Sequence, residues 1–324
     1  INDPARTTVI DRNDPFDVVA GYLLGDFTIS PAFKISAGAR LDYYSNAKFD
    51  FLSSFNPRIA VIAKPYTGGN IKAMFGKAFR TPSVYELFYV AAGQQAGADA
   101  GIQPEQVVSG ELEYSHRFSP TVVGLVSGYA NYVTNLMELG TLAPDPITGE
   151  ADVQFQNSKA PVLVLGAEAE IRREWREGWM LAASYTLQRA QYLQDTKLRE
   201  VPNYPSHMGS VKGSVPIIGR TLIATTRVTV ESPRFDRANK NIDIGCDAAN
   251  LGTAAPCASQ GTTTPSAVWD LVFSGDLERY KMRYSVGVYN LLDWKYDAVP
   301  SAEYTQRTIR QKGRTVMANI NISF

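Results

Sequence analysis

The chain has 324 residues, enough for one large or two ordinary domains, with 32 basic and 32 acidic side chains and zero formal net charge. That balance leaves no cationic footprint for nucleic acid, which is not expected as a partner. Mean hydropathy is −0.17, and no run approaches the roughly 18 uncharged apolar residues of a spanning helix. A helical membrane protein is thereby excluded, whereas a membrane β-barrel is not, because half of its strand residues face water.

Residues 1–14 (INDPARTTVIDRND) are polar and have no apolar core of a signal peptide, so the sequence starts like a loop of a mature product or fragment. From there on the chain reads as strands, with no convincing amphipathic helix. Phe33, Ile35, Ala37, Ala39, Leu41 and Tyr43 share one face against Lys34, Ser36, Gly38, Arg40 and Asp42. Val108, Gly110, Leu112, Tyr114, His116 and Phe118 oppose Ser109, Glu111, Glu113, Ser115 and Arg117. The same alternation recurs from Leu163 to Ile171, from Trp179 to Leu187 and from Leu222 to Val230. Strands of about ten or more residues exceed the usual five or six of soluble sheets.

The connections alternate in length. Short ones are expected near 30–31, 65–69, 119–120, 174–178, 216–219 and 279–281; longer, irregular ones over 45–55, 82–104, 139–152, 194–203, 234–265 and 293–304. In one antiparallel meander this places all short turns at one end, as in outer-membrane barrels with short periplasmic turns and long extracellular loops. Cys246 and Cys257 fall in the longest loop, eleven positions apart, and fit no common zinc spacing. A disulfide closing that loop, contributing about 3 kcal/mol, is the favoured reading and implies an oxidising compartment; two reduced cysteines are the alternative.

The last ten residues, 315–324 (TVMANINISF), alternate strictly, with Val316, Ala318, Ile320, Ile322 and Phe324 on one face and polar side chains plus Met317 on the other. By themselves they fit either a barrel strand between lipid and lumen or the edge of a soluble sandwich. Six hairpins and this strand make thirteen strands. An odd count cannot close an ordinary bacterial barrel, so either the chain holds further strands or, as the polar start favours, part of the barrel lies upstream of Ile1.

At 76–89 (GKAFRTPSVYELFY) the chain resembles the TonB-dependent outer-membrane transporters, whose FR-x-P-x-x-x-EL stretch is matched by Phe79, Arg80, Pro82, Glu86 and Leu87. Residues 102–114 (IQPEQVVSGELEY) resemble the family's next strand start, with Glu113 where a glycine is common, and 201–207 (VPNYPSH) its P-N-x-P-x-H stretch. Asn290, Asp293 and Tyr296 match its NLxDxxY, and Gly313 and Arg314 its closing segment. The motifs come in the family's order over roughly residues 17–324. The resemblance implies an all-β fold, an antiparallel transmembrane barrel of which residues 1–324 form thirteen of about 22 strands in one incomplete domain. The plug domain, TonB box and earlier strands would lie outside this sequence.

It also implies location in the outer membrane of a Gram-negative bacterium and uptake of a scarce solute such as a ferric siderophore, cobalamin or glycan, with energy delivered through TonB. Outer-membrane lipid, TonB acting through a plug, and the barrel-assembly machinery are the implied partners, the last recognising Phe324. The alternative is a passive or structural barrel in an envelope assembly. No catalytic constellation, metal-ligand cluster, phosphate loop or other cofactor motif stands out, and an enzyme is not expected.

Arg80 and Glu86 flank Pro82; a salt-bridged cap on the loop is favoured over a ligand-contacting pair. Glu111, Glu113, Glu168, Glu170 and Arg172 are expected on the lumen face, more as a structural charge ladder than as a solute path. Tyr85, Phe88 and Tyr89 are the candidate aromatics for stacking on a ligand at the outer loops, with packing as the competing role. The basic run around Trp175 reads as a short turn at the membrane interface.

Overall fold

The computed structural model describes residues 16–46, 49–90, 94–95, 97, 101–143, 152–175, 178–193, 199–236, 262–300, 306 and 308–323. Its wall consists of β1 (Asp17–Ser30), β2 (Phe33–Asn46), β3 (Phe49–Ala63), β4 (Gly69–Arg80), β6 (Glu105–Ser119), β7 (Val122–Thr134), β10 (Val162–Glu174), β11 (Met180–Tyr192), β13 (His207–Ile218), β14 (Leu222–Glu231), β15 (Ser266–Leu277), β16 (Met282–Tyr289) and β19 (Thr315–Ile322). Above it lie β5 (Gln94–Gln95), β8 (Met137–Thr141), β9 (Val153–Asn157), β12 (Arg199–Glu200), β17 (Asp297–Ala298), β18 (Ile309–Arg310) and a short helix α1 (Val84–Phe88). The thirteen wall strands hydrogen-bond in sequence order into one antiparallel sheet, and β12 adds to the upper end of β11.

The alternation read from the sequence becomes two sets of rows running around the sheet. Ile71, Tyr114, Val126, Ala169, Tyr185, Gly209 and Val230 are successive partners across seven strands and form one outward row. One residue away, Lys72, Glu113, Ser127, Glu168, Thr186, Met208 and Glu231 form an inward row. A slip of one residue in any strand would swap its faces, so the register is fixed by the difference between lipid and water. The apolar row is not packed against protein: Leu112 is 58% exposed and Phe118, Val126, Ile171, Leu181 and Val316 are exposed beside it. That is the inverse of a soluble fold, and it is what a wall bathed in hydrocarbon requires.

Inward, the polar side chains satisfy one another. Lys72 pairs with Glu113 at 2.9 Å, and Arg227 with Asp270 at 2.7 Å. Asp42, 4% exposed, accepts from Arg40 at 2.7 Å and from Asn56 at 3.1 Å. Glu111, Glu168, Glu170 and Arg172 lie on the same face by register, as the charge ladder predicts.

The six short turns all fall at one end, as expected. Gly68 makes one of them with φ 89°, a conformation that a side chain would strain, and its carbonyl accepts from the Arg117 N–H at 2.8 Å. Trp175 sits at another, with the Arg173 guanidinium 4.4 Å over its ring.

Two expectations are corrected. The loop expected over 45–55 is mostly strand, since β3 begins at Phe49 and pairs with β2 through Ala39↔Pro57 and Leu41↔Phe55. Asn56, just past that stretch, donates to the inward Asp42 at 3.1 Å. The chain also contains a helix, α1, where none was expected. β19 pairs with β16 rather than stacking on a second sheet, so the sandwich alternative for the closing strand does not hold. Phe324, Cys246 and Cys257 lie outside the described residues.

Candidate ligand-facing rim

The connection from β4 to β6 carries the FR-x-P-x-x-x-EL stretch. Arg80 ends β4 on the inward face, opposite Glu105. Phe79 falls on the outward row opposite Gln106, and Pro82, buried, turns the chain over the rim. Ser83 then caps α1: its hydroxyl accepts from the Glu86 N–H at 3.3 Å, while the Glu86 carboxylate accepts from the Ser83 N–H at 2.7 Å. This reciprocal capping box satisfies donors that a helix start otherwise leaves open. Arg80 donates to both Glu86 oxygens at 2.9 and 3.0 Å and to Glu105 at 3.2 Å. Burial alone would raise the Glu86 carboxyl, but the Ser83 and Arg80 donors outweigh it and hold it below its ordinary value.

Leu87, 1% exposed, is the centre of a small core with Ile102, Phe88 and Met137, and Phe155 packs against it. These residues come from two loops, 81–104 and 135–161. β5, β8 and β9 join the same loops by backbone, β5 running parallel to β9. Asn157 fastens them further, accepting from the Gln103 N–H at 2.6 Å and donating to the Gln103 carbonyl at 2.9 Å and the Asn135 carbonyl at 2.7 Å. Gln95 reaches Asp152 at 2.9 Å. Tyr192 on β11 donates to Glu138 at 2.9 Å, tying the next strand to the same body.

On this braced base the three candidate aromatics part ways. Tyr85 and Tyr89 stack with ring centroids 4.4 Å apart, and Phe155 meets Tyr85 edge-on at 5.7 Å. Tyr85 is 40% exposed, whereas Phe88 is buried in the core below. The geometry therefore brings Tyr85 and Tyr89 together as a surface platform and gives Phe88 a packing position.

The closing motifs assemble at the same loop end, beside the last two strands of the sheet. Asn290, buried with φ 53°, donates its backbone N–H to Asp270 at 3.0 Å. Its amide donates to the Trp294 carbonyl at 3.0 Å and accepts from the Trp294 N–H at 2.8 Å. Asp293 accepts from the Arg314 N–H at 2.9 Å and from Lys295 at 2.7 Å. A side chain at Gly313 would collide with the Asp293 carboxylate, which accounts for glycine there. The Tyr296 carbonyl accepts from the Gln311 N–H at 3.0 Å. NLLDWKY and QKGR are thus two halves of one latch between β16 and β19.

Glu105, Asn157 and Asp270 were not singled out from the sequence, and each is defined by a partner at least twenty residues away. Ser83 carried a readable signal, a serine three residues before a glutamate.

The family described as TonB dependent receptor-like, beta-barrel matches residues 1–291. No curated protein matches the chain. Among solved structures, the copper transporter OprC is similar with TM-score 0.70 and 16% identity, over 96% of this chain and 48% of its own. The FrpB iron transporter from Neisseria meningitidis gives 0.69 and 15%, over 97% and 46%. The siderophore receptor PirA from Acinetobacter baumannii gives 0.72 and 15%, over 95% and 46%. The chain spans about half the length of these structures. With thirteen wall strands in one antiparallel sheet, apolar outside and polar inside, the chain belongs to the TonB-dependent receptor-like β-barrel family of the Gram-negative outer membrane.

Proposed function

We propose that residues 1–324 supply part of one barrel domain, its wall and cell-surface loops, in a receptor that takes up a scarce solute with energy delivered through TonB. The observation that carries this reading is the Tyr85–Tyr89 platform, rigidly braced above an inward polar wall. Stacked aromatics suit a flat ligand with a π-face, such as a catecholate or other aromatic iron chelate. The iron transporter and the siderophore receptor among the similar structures fit the same solute class. Cobalamin and glycans are the other candidates. Coupling to TonB would run through a plug domain in the lumen.

The test is uptake by a strain lacking the gene. Complemented cells should grow on one class of iron chelate under iron limitation, and lose that growth when TonB is removed or when Tyr85→Ala and Tyr89→Ala are combined. Unchanged uptake of iron chelates, cobalamin and glycans without TonB would overturn the reading in favour of a passive barrel. Two smaller assignments belong with it. Cys246 and Cys257 pair as a disulfide in the 234–265 loop, so alkylation in intact cells should require prior reduction. Phe324 is the signal read by the barrel-assembly machinery, so Phe324→Ala should leave unfolded chain in the periplasm.

A further inference from the structure

The inward wall carries a charge arrangement that the rim does not use. By register, Arg117 on β6, Val123 on β7, Arg172 on β10, Ala182 on β11 and Lys212 on β13 form one continuous inward row. Every second strand of the row therefore contributes a cation, and with strands about 4.8 Å apart the cations repeat at roughly 10 Å. The row begins at a hollow of about 690 Å³ at the short-turn end, lined by Lys64, Asn70, Ser115 and Arg117 among others. It ends at Arg227 on β14, which Asp270 neutralises at 2.7 Å.

The wall itself does little to balance this row. Glu113 is taken by Lys72. Glu174 meets Arg172 at 3.4 Å with both side chains more than half exposed, a geometry that contributes little. Among the described residues no ion pair occupies Lys64, Arg117 or Lys212. The carboxylates of Glu111, Glu113, Glu168 and Glu170 come earlier on β6 and β10, toward the loop end. Going inward from the rim, these two strands thus present acids first and cations last.

We propose that this cationic track, from Lys64 through Arg117 and Arg172 to Lys212, seats an acidic, extended segment of the receptor's plug. The inference rests on the reading of a plug in the lumen and adds where, and through which charge, that plug is held. Unpaired cations in a row call for a partner of opposite sign, which fixes the register as well as the attraction. Their spacing suits a peptide: a chain in polyproline II conformation repeats its side chains every three residues at about 9 Å, so one carboxylate in three meets successive cations. An anionic solute arriving from the rim would meet the carboxylates of β6 and β10 first, whereas a segment at the short-turn, periplasmic end does not.

The test treats isolated outer membranes, which keep the receptor intact, with a water-soluble carbodiimide that joins a lysine ammonium to a touching carboxylate as an isopeptide. Tryptic mapping by mass spectrometry then identifies each partner. Lys64 and Lys212 should both be joined to aspartates or glutamates of one plug segment outside residues 1–324. Arg117→Glu with Arg172→Glu, which makes the track repel carboxylates, should abolish both links. Slow migration of the unboiled protein on a gel confirms that the variant is folded. Links only to wall carboxylates such as Glu113 or Glu170, no links, links to a separate protein, or links that survive in the double variant would overturn the proposal. An intact mass with no domain beyond the barrel would overturn the plug-coupled reading and the proposal with it, so the two failures are told apart.

Discussion

Glu86 is held by Ser83 from within its own loop and by Arg80 from the wall, so one carboxylate decides whether the loop stays down. Glu86→Gln leaves the guanidinium short of its charged partner, and a buried group that loses such a bond costs about 1–3 kcal/mol. The expected result is faster cleavage of the 81–104 loop by protease added to whole cells, with the barrel still resistant to boiling-free electrophoresis. The same site gives a pH dependence. Its folded value lies below the ordinary 4.5, so its stabilisation is complete above that value and is lost as pH falls through the lower folded value. Loop protection should therefore hold at neutral pH and fail only in acid below the ordinary 4.5, measured with an acid-active protease. Asn290→Ala removes both bonds to Trp294 at a buried position with positive φ, and should lower the thermal midpoint of the folded barrel. The pairing of Arg80 with Glu86 was legible because six residues and a proline separate them; Glu105 was not, because nothing local distinguishes a glutamate that will face a neighbouring strand.

The element that answers most to packing is α1. Its five residues are too few for a helical period to show in sequence, and only the serine and glutamate of its cap announced it. Its stability comes from Leu87 under two loops, not from propensity. Leu87→Ala should cost about 2–5 kcal/mol, as buried leucine truncations do. Because Met137 and Phe155 share that core, hydrogen exchange should rise together over 84–104 and 137–157 while the wall stays protected. Loss of protection in one loop alone would contradict a shared core. The strands were legible for the opposite reason: a two-residue period sustained over twelve or more residues, as in the 15 of β6, leaves little room for another structure. β3 was misread at its start because polar residues that turn the chain in a soluble protein here face a wet interior, where Asn56 and Ser54 hydrogen-bond each other at 3.1 Å.

For the whole molecule the governing contrast is lipid outside against water inside. Leu112, mid-strand on the outward row, and Ser127, on the inward row one strand over, test it in a pair. Leu112→Arg should destabilise the barrel by about 2–4 kcal/mol in urea unfolding from vesicles, the cost of a basic residue near the bilayer midplane. Ser127→Arg, close to Glu113 and Glu168 by register, should cost far less. Equal effects would contradict the assigned faces. The surface that the cell shows to its surroundings follows from the loop sheet in which β5 and β9 run side by side. Gln95 and Asp152 touch there although 57 residues separate them in sequence. An antibody raised against a peptide copied from either loop would meet, on a living cell, a surface that neither peptide contains. Immune recognition of this rim, and escape from it, is therefore a property of two loops at once, and a substitution in one reshapes the epitope carried by the other.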